Sequence, residues 1–293
     1  MRKAARGGRL TSGNELNAHL EGWEKERRKH PFMAFDLNES TIEGCWEEAS
    51  ADYSGENYVM MIGDIIDSMV KRGILRDGDT VLDIGCGTGL FSIPIAGIAT
   101  RVVCMDGSVG MLGRLEKQCR EQGIPNIETV GSSWKDFNTN ERFDLVFSSL
   151  CPALNNPDSI LRMASYSKRN CAYISSAFHE DGMEIDAWRR LGRDISFKGL
   201  DTRFPHGFLK INGMEPELEF FSSTSEHSCT VDEAESMLAS RMGSHVHVSE
   251  EVREAISEAV NGRATDGMIV ESRKLTLGLL TWRFLCRGYP YYR

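Results

Sequence analysis

Two aspartates, three glycines and a serine hold most of the chemistry that this chain's sequence advertises. Asp83 lies in the apolar run TVLDI (residues 80–84), and Gly85, Gly87 and Gly89 follow at once. Glycines so spaced form a tight turn that backbone can make and side chains cannot, so a ligand can approach closely. The helix expected after the turn offers unbonded N–H groups and the positive end of its dipole. A second apolar run, RVVCM (101–105), ends in Asp106, 21 residues beyond Gly85. A carboxylate at that distance is placed to accept from ribose hydroxyls. Ser108 is a good N-cap for a helix over 109–122 that stops at Gly123. The loop spacing is G-x-G-x-G with Leu at position 90, so the dinucleotide fingerprint G-x-G-x-x-G is not met.

These residues need a frame, and the chain divides into parts that supply one. Residues 1–13, rich in Arg and Gly, read as a disordered tail. Residues 14–72 read as a helical N-terminal cap, with helices over 15–29, 39–51 and 56–72. Residues 73–178 alternate strand and helix, with strands near 80–84, 101–105, 127–130, 143–148 and 171–177. Pro94 falls near the start of the helix after the glycine loop, where a proline is tolerated. Residues 179–293 are expected to provide substrate-lid segments and the final sheet strands, 217–225 and 274–285. Trp188 to Ile195 reads as helical and Arg203 to Gly213 as a loop. Thr230 and Glu233 form a capping box for a helix reaching about Arg241.

The motifs VLDIGCGTG and VVCMDGSVGML together resemble the class I S-adenosylmethionine-dependent methyltransferases, with their D-x-G-x-G-x-G and D-x-S-x-x-M-L segments. IETVGSSWKDF (127–137) and FDLVFSSLCPAL (143–154) extend the resemblance, which covers about residues 46–178. It implies an α/β fold: a doubly wound, mostly parallel seven-stranded sheet with helices on both faces and an antiparallel last strand. It further implies that Asp83, Gly85, Cys86, Gly87 and Gly89 line the methionine half of S-adenosylmethionine. Asp106 would hold the ribose, with Gly107, Ser108 and Met111 beside the adenosine. Where the family often has an acidic residue for the adenine, this chain has Ser133 and Trp134, a hydrogen-bonding hydroxyl and a stacking face. Ser148, Ser149 and Leu150 would end the fourth strand near the transferred methyl group. Tyr53, with Tyr58 as its alternative, would touch the cofactor from the N-terminal segment.

Methyl transfer from a sulfonium chiefly needs in-line positioning and exclusion of water, and a base only where the nucleophile must lose a proton. His179, with Glu180 and Asp181 beside it, is the candidate base just past the fifth strand. No metal is expected: His227-x-Cys229 and His245-x-His247 match no standard zinc spacing. Cys45, Cys151 and Cys229 raise a thiol or metalloid acceptor as a minor idea, but Cys151 before Pro152 reads more simply as a small apolar wall.

Composition narrows the partners. The chain has 293 residues, 41% hydrophobic and 26% charged, with a net charge of −9 that argues against broad nucleic-acid binding. The basic stretch KERRK (25–29) alternates with Glu21, Glu24 and Glu26 and reads as a solvated helix face. No apolar run reaches membrane-spanning length, the N-terminus lacks a signal-peptide core, and eight scattered cysteines suit a reducing compartment, so a cytoplasmic protein is expected. The leading expectation is therefore a methyltransferase acting on a small molecule. Its alternatives are a nicotinamide-dependent oxidoreductase and a non-catalytic cofactor-binding regulator.

Overall fold

The computed structural model describes residues 13–34, 44, 46–47, 50, 56–178, 182–243 and 245–283. Seven strands form a single sheet in the order β3-β2-β1-β4-β5-β7-β6. They are β1 (Thr80–Ile84), β2 (Arg101–Asp106), β3 (Ile127–Gly131), β4 (Phe143–Ser149), β5 (Ser167–Phe178), β6 (Glu217–Thr230) and β7 (Met268–Arg283). The first five pair in parallel. The last strand, β7, runs antiparallel to both β5 and β6. The strand order reverses between β1 and β4, which places a crevice at the carboxyl ends of those two strands.

Side-chain alternation fills both faces of the sheet. Val81, Leu145 and Phe147 point to one face, where Met61, Ile65 and Met69 of helix Glu56–Lys71 pack with Phe91, Ile95 and Leu115. Leu82, Ile84 and Val146 point to the other, against Trp134, Phe137, Ile160, Leu209 and Trp23 of helix Gly13–Arg27. Each fully buried Leu or Ile contributes about 1.5–3 kcal/mol of apolar transfer, so the β1 run TVLDI is held mainly by its two apolar faces. A third cluster joins Met183 and Trp188 to Leu238, Ile256, Cys229 and Ile269, at the far end of the β6–β7 hairpin.

Most expected elements form, with shifted ends. Strand β5 begins four residues earlier than the expected 171, and β6 and β7 extend to 230 and back to 268 as one long antiparallel pair. The capping box is present: Thr230 N–H donates to Glu233 Oε2 (2.9 Å) and Glu233 N–H to Thr230 Oγ1 (3.2 Å). The helix expected over 188–195 lies earlier, at Gly182–Arg190. Its basic C-terminus and Gly192, at φ +68°, end it there. The loop expected over 203–213 is instead helix Arg203–Ile211. Pro205 sits in its first turn, where a missing N–H costs nothing, and Phe208 and Leu209 form a buried stripe that outweighs the punctuation of Pro205 and Gly207. Gly207 earns its place by contact, since a Cβ there would lie 2.5 Å from the His19 ring.

Candidate functional site

The glycine turn adopts the backbone its sequence requires: φ is +70° at Gly85, +54° at Gly87 and +88° at Gly89. Gly85 and Cys86 N–H groups both donate to Met105 O (2.8 and 3.1 Å), which fastens the turn to the end of β2. A Cβ on Gly85 would sit 2.5 Å from Cys151 Sγ, and one on Gly89 2.3 Å from Leu115 Cδ1. Gly89 therefore serves helix packing, and the cavity is lined by Gly85, Cys86, Gly87 and Thr88.

Asp106 ties the two turns together. Its Oδ2 accepts from Gly87 N–H (2.8 Å) and its Oδ1 from Ser108 N–H (2.9 Å). Burial raises its carboxyl above the usual range, with the backbone donors of Ser108, Gly87 and Gly107 working against the rise. Asp83 is deeper, 1% exposed, and burial pushes its carboxyl up to about 7. Ser92 Oγ donates to Asp83 Oδ2 (2.5 Å), while Oδ1 is buried with no hydrogen-bond partner. Asp83 lies behind the turn and does not itself line the cavity.

Ser108 caps helix Val109–Gln122 by accepting from Met111 N–H (3.1 Å), as the sequence indicates. Its hydroxyl also donates to Glu47 Oε2 (2.6 Å), and Gly110 N–H donates to the same carboxylate (2.9 Å). Those two donors hold the Glu47 carboxyl below its ordinary range. Arg114 adds a hydrogen bond to the Ser50 carbonyl. The N-terminal segment is thus clamped onto a helix N-terminus, where a carboxylate complements the dipole.

The remaining walls come from the turns after β3 and β4. Trp134 is buried, stacked on Phe137 (centroids 6.2 Å apart) and covered by the Arg162 guanidinium 4.3 Å above its ring. Arg162 also donates to the carbonyls of Trp134 and Phe137. Ser133 Oγ donates to Asp136 Oδ2 (2.8 Å). Ser148 turns inward: it is fully buried and donates to Ile84 O (2.7 Å), so the cavity wall at the end of β4 begins at Ser149. Leu150 follows with φ +51°, a left-handed conformation that costs a branched L-residue about 1–2 kcal/mol and turns Cys151 toward Gly85.

The cavity has a volume of about 580 Å³, within the range of small-molecule sites. Met105, Asp106, Gly107, Ser108 and Met111 line one side, and Ser149 to Ala153 with Asn155 and Asn156 another. Arg27, Met33 and Trp46 line it from the N-terminal segment. None of the described residues after Arg162 lines it. Tyr53, Cys45, His179, Glu180 and Asp181 lie outside the described residues, as does the side chain of Tyr58. Burial holds Cys151 near 12, and the Cys104 thiol and burial raise Cys86, so both thiols on the cavity wall stay protonated. Cys229 is far off in the third core. Among the described residues no group of three or more His, Cys, Asp or Glu could hold a metal ion. No helix among them is long and apolar enough to cross a membrane.

Sequence reasoning missed Glu47, Arg27, Met33 and Trp46. Glu47 caps a helix distant in the chain, and no local pattern marks such a partner. By sequence Arg27 is one charge of a solvated helix face.

Comparison with known proteins agrees with this geometry. Residues 81–169 match the model of a methyltransferase domain family. A 23S rRNA (uracil(1939)-C(5))-methyltransferase from Aeromonas salmonicida is 31% identical over 171 residues, covering 54% of this chain and 38% of that protein. A cypemycin N-terminal methyltransferase from a Streptomyces species is 40% identical over 73 residues, covering 25% of this chain and 29% of its own length. The chain spans well under half the length of these two relatives. A solved Bacillus halodurans protein, described as a methyltransferase, superposes with a TM-score of 0.50 at 17% identity, covering 74% of this chain and 97% of its own. The fold is that of the class I methyltransferases. Residues 81–169 are a methyltransferase domain of that class, whose methyl donor and cofactor is S-adenosylmethionine.

Proposed function

We propose that the whole chain transfers a methyl group from S-adenosylmethionine to a small-molecule acceptor by in-line displacement. The observation that carries this reading is one continuous cavity. It joins the glycine turn and Asp106 to the end of β4, with Arg27, Met33 and Trp46 on its wall.

The residues suit the donor. Gly85, Cys86 and Gly87 allow close approach to the methionine half, and the unpartnered Asp83 Oδ1 leaves an acceptor behind them, suited to an ammonium group. Asp106 accepts from the backbone N–H groups of Gly87 and Ser108, and its carboxylate has lone pairs left for a ribose hydroxyl. Gly107, Ser108 and Met111 flank the adenosine, and Ser133 and Trp134 face its base. When bound, S-adenosylmethionine supplies an activated methyl group. The chain's task is to hold an acceptor at Ser149 and Leu150 in line with it and to keep water out. His179 remains the proposed base where the acceptor must lose a proton.

A nucleic-acid acceptor is the second reading, favoured by the match to the rRNA methyltransferase. The net charge of −9 and a cavity of small-molecule size support the small molecule instead. The short helix after the glycine turn, Ser92–Ala96, has no side-chain cap and offers little dipole to a pyrophosphate.

Calorimetric titration with S-adenosylhomocysteine and with NAD tests the donor. Tight binding of the first and none of the second is expected, and the reverse would refute the assignment. Radiolabelled methyl transfer into a metabolite extract, with total RNA in parallel, tests the acceptor. Label appearing only in RNA would overturn the small-molecule reading.

A further inference from the structure

Arg27 ends helix Gly13–Arg27 with its side chain on the cavity wall and 24% exposed. Its Nε and Nη2 donate to Glu24 (2.7 and 3.0 Å), a bidentate clamp that fixes the plane of the guanidinium. Glu24 is also held by Arg28 Nε (2.7 Å), so one carboxylate is shared between two guanidinium groups and a positive charge is left over. The third edge of Arg27, at Nη1, meets Met33 Sδ at 3.3 Å. A thioether is a weak acceptor for a charged donor. A preorganised cation thus turns an edge without a strong acceptor toward the cavity it shares with Met33.

The other cations of the wall are placed differently. Arg162 spends its donors on the carbonyls of Trp134 and Phe137 and lies flat on the Trp134 ring. Lys135 is exposed to solvent.

We propose that Arg27 is the anion-recognising residue of this cavity, with Nη1 donating to a carboxylate of the bound ligand. The inference rests on the methyltransferase reading above. The carboxylate can come from two sources, the amino-acid tail of the donor or the acceptor. Arg27 is a binding residue, and Glu24 positions it.

The test compares wild type with Arg27→Gln, Arg27→Lys and Glu24→Gln by calorimetric titration. In the donor arm, the probes are S-adenosylhomocysteine and 5′-methylthioadenosine, which lacks the amino-acid tail. A donor carboxylate on Arg27 predicts that Arg27→Gln weakens S-adenosylhomocysteine about tenfold or more and leaves 5′-methylthioadenosine unchanged. In the acceptor arm, protein saturated with S-adenosylhomocysteine is titrated with benzoate, phenylacetate and indole-3-acetate, each against its carboxamide. An acceptor carboxylate predicts that wild type prefers a carboxylate over its amide and that Arg27→Gln removes the preference. Arg27→Lys should restore part of whichever effect is seen, because it keeps the charge and loses the fork. Glu24→Gln should weaken the same arm less. A uniform loss for all probes would show a merely structural arginine and overturn the proposal. Unchanged selectivity in both arms, with S-adenosylhomocysteine bound normally, would also overturn it. Failure of wild type to bind S-adenosylhomocysteine at all would instead refute the donor reading on which it rests.

Discussion

Replacing Gly85 with alanine tests the tightest point of the site. The residue stands at φ +70°, where an L-residue costs about 1–2 kcal/mol. The added Cβ would lie 2.5 Å from Cys151 Sγ and 2.8 Å from Cys151 Cβ. Neither atom can swing far, because Leu150 N–H is bonded to Ile174 O (2.8 Å) and Leu154 N–H to Cys151 O (3.2 Å). Overpacking of that kind costs about 1–3 kcal/mol. Gly85→Ala should therefore destabilise the protein by about 2–5 kcal/mol, a large share of the 5–15 kcal/mol typical of a domain. Urea unfolding followed by tryptophan fluorescence would measure it. Cys151→Gly removes both clashing atoms, and the Gly85→Ala/Cys151→Gly pair should recover the contact share and keep the backbone share. A double-mutant cycle should give a coupling of about 1–3 kcal/mol. A coupling near zero, or a Gly85→Ala protein as stable as wild type, would refute the claim that Cys151 shapes this turn.

Three further outcomes are expected. Asp106→Ala should weaken S-adenosylhomocysteine binding by about 1.5–3 kcal/mol through lost charge-assisted hydrogen bonds, and calorimetry showing unchanged affinity would misplace the ribose. Asp83 holds its proton to about pH 7 when folded, against an ordinary 3.8, so the stability tied to that proton is full below about pH 4 and is lost as the pH rises through 7, on the order of 4 kcal/mol in all. Asp83→Asn should remove this slope, and wild-type and variant unfolding profiles that run parallel from pH 4 to 8 would contradict it. Glu47→Ala should lower the melting temperature and the affinity for S-adenosylhomocysteine together, because the clamp on Ser108 and Gly110 is lost. Equal melting curves and affinities would mean that the clamp holds nothing.

The parallel half of the fold was legible because its strands are short apolar runs bounded by glycines, and each turn after a strand carries its own polar signal. Asp83, Gly85, Gly87, Asp106 and Ser108 are neighbours in sequence as well as in space, so a local pattern could find them. The N-terminal wall of the cavity was harder to read. Glu47 and Arg27 act on partners far along the chain, and the charge pattern around Arg27 looks like any solvated helix until Met33 is set beside it. Helix Arg203–Ile211 was hidden by Pro205 and Gly207, whose effect depends on what packs against them. Ser148 shows the opposite error. It belongs to the right strand end, but its pleat turns it to the carbonyl of Ile84.

The β6–β7 hairpin outruns the sheet that anchors it. Strand β5 pairs with β7 over Thr276–Arg283, whereas β6 follows β7 all the way to Met268. The overhanging end bears a core whose members all fall between Met183 and Ile269. That core closes on itself within one stretch of chain, so it can come apart while the sheet stays intact. Amide exchange would then resolve two opening energies, with β1, β2 and β4 in the slow class. No buried member of that core lines the donor cavity. Beside it, however, Phe197 meets the His30 ring and Ser196 N–H donates to Lys29 O, so its nearest link to the site runs through the chain that follows Arg27.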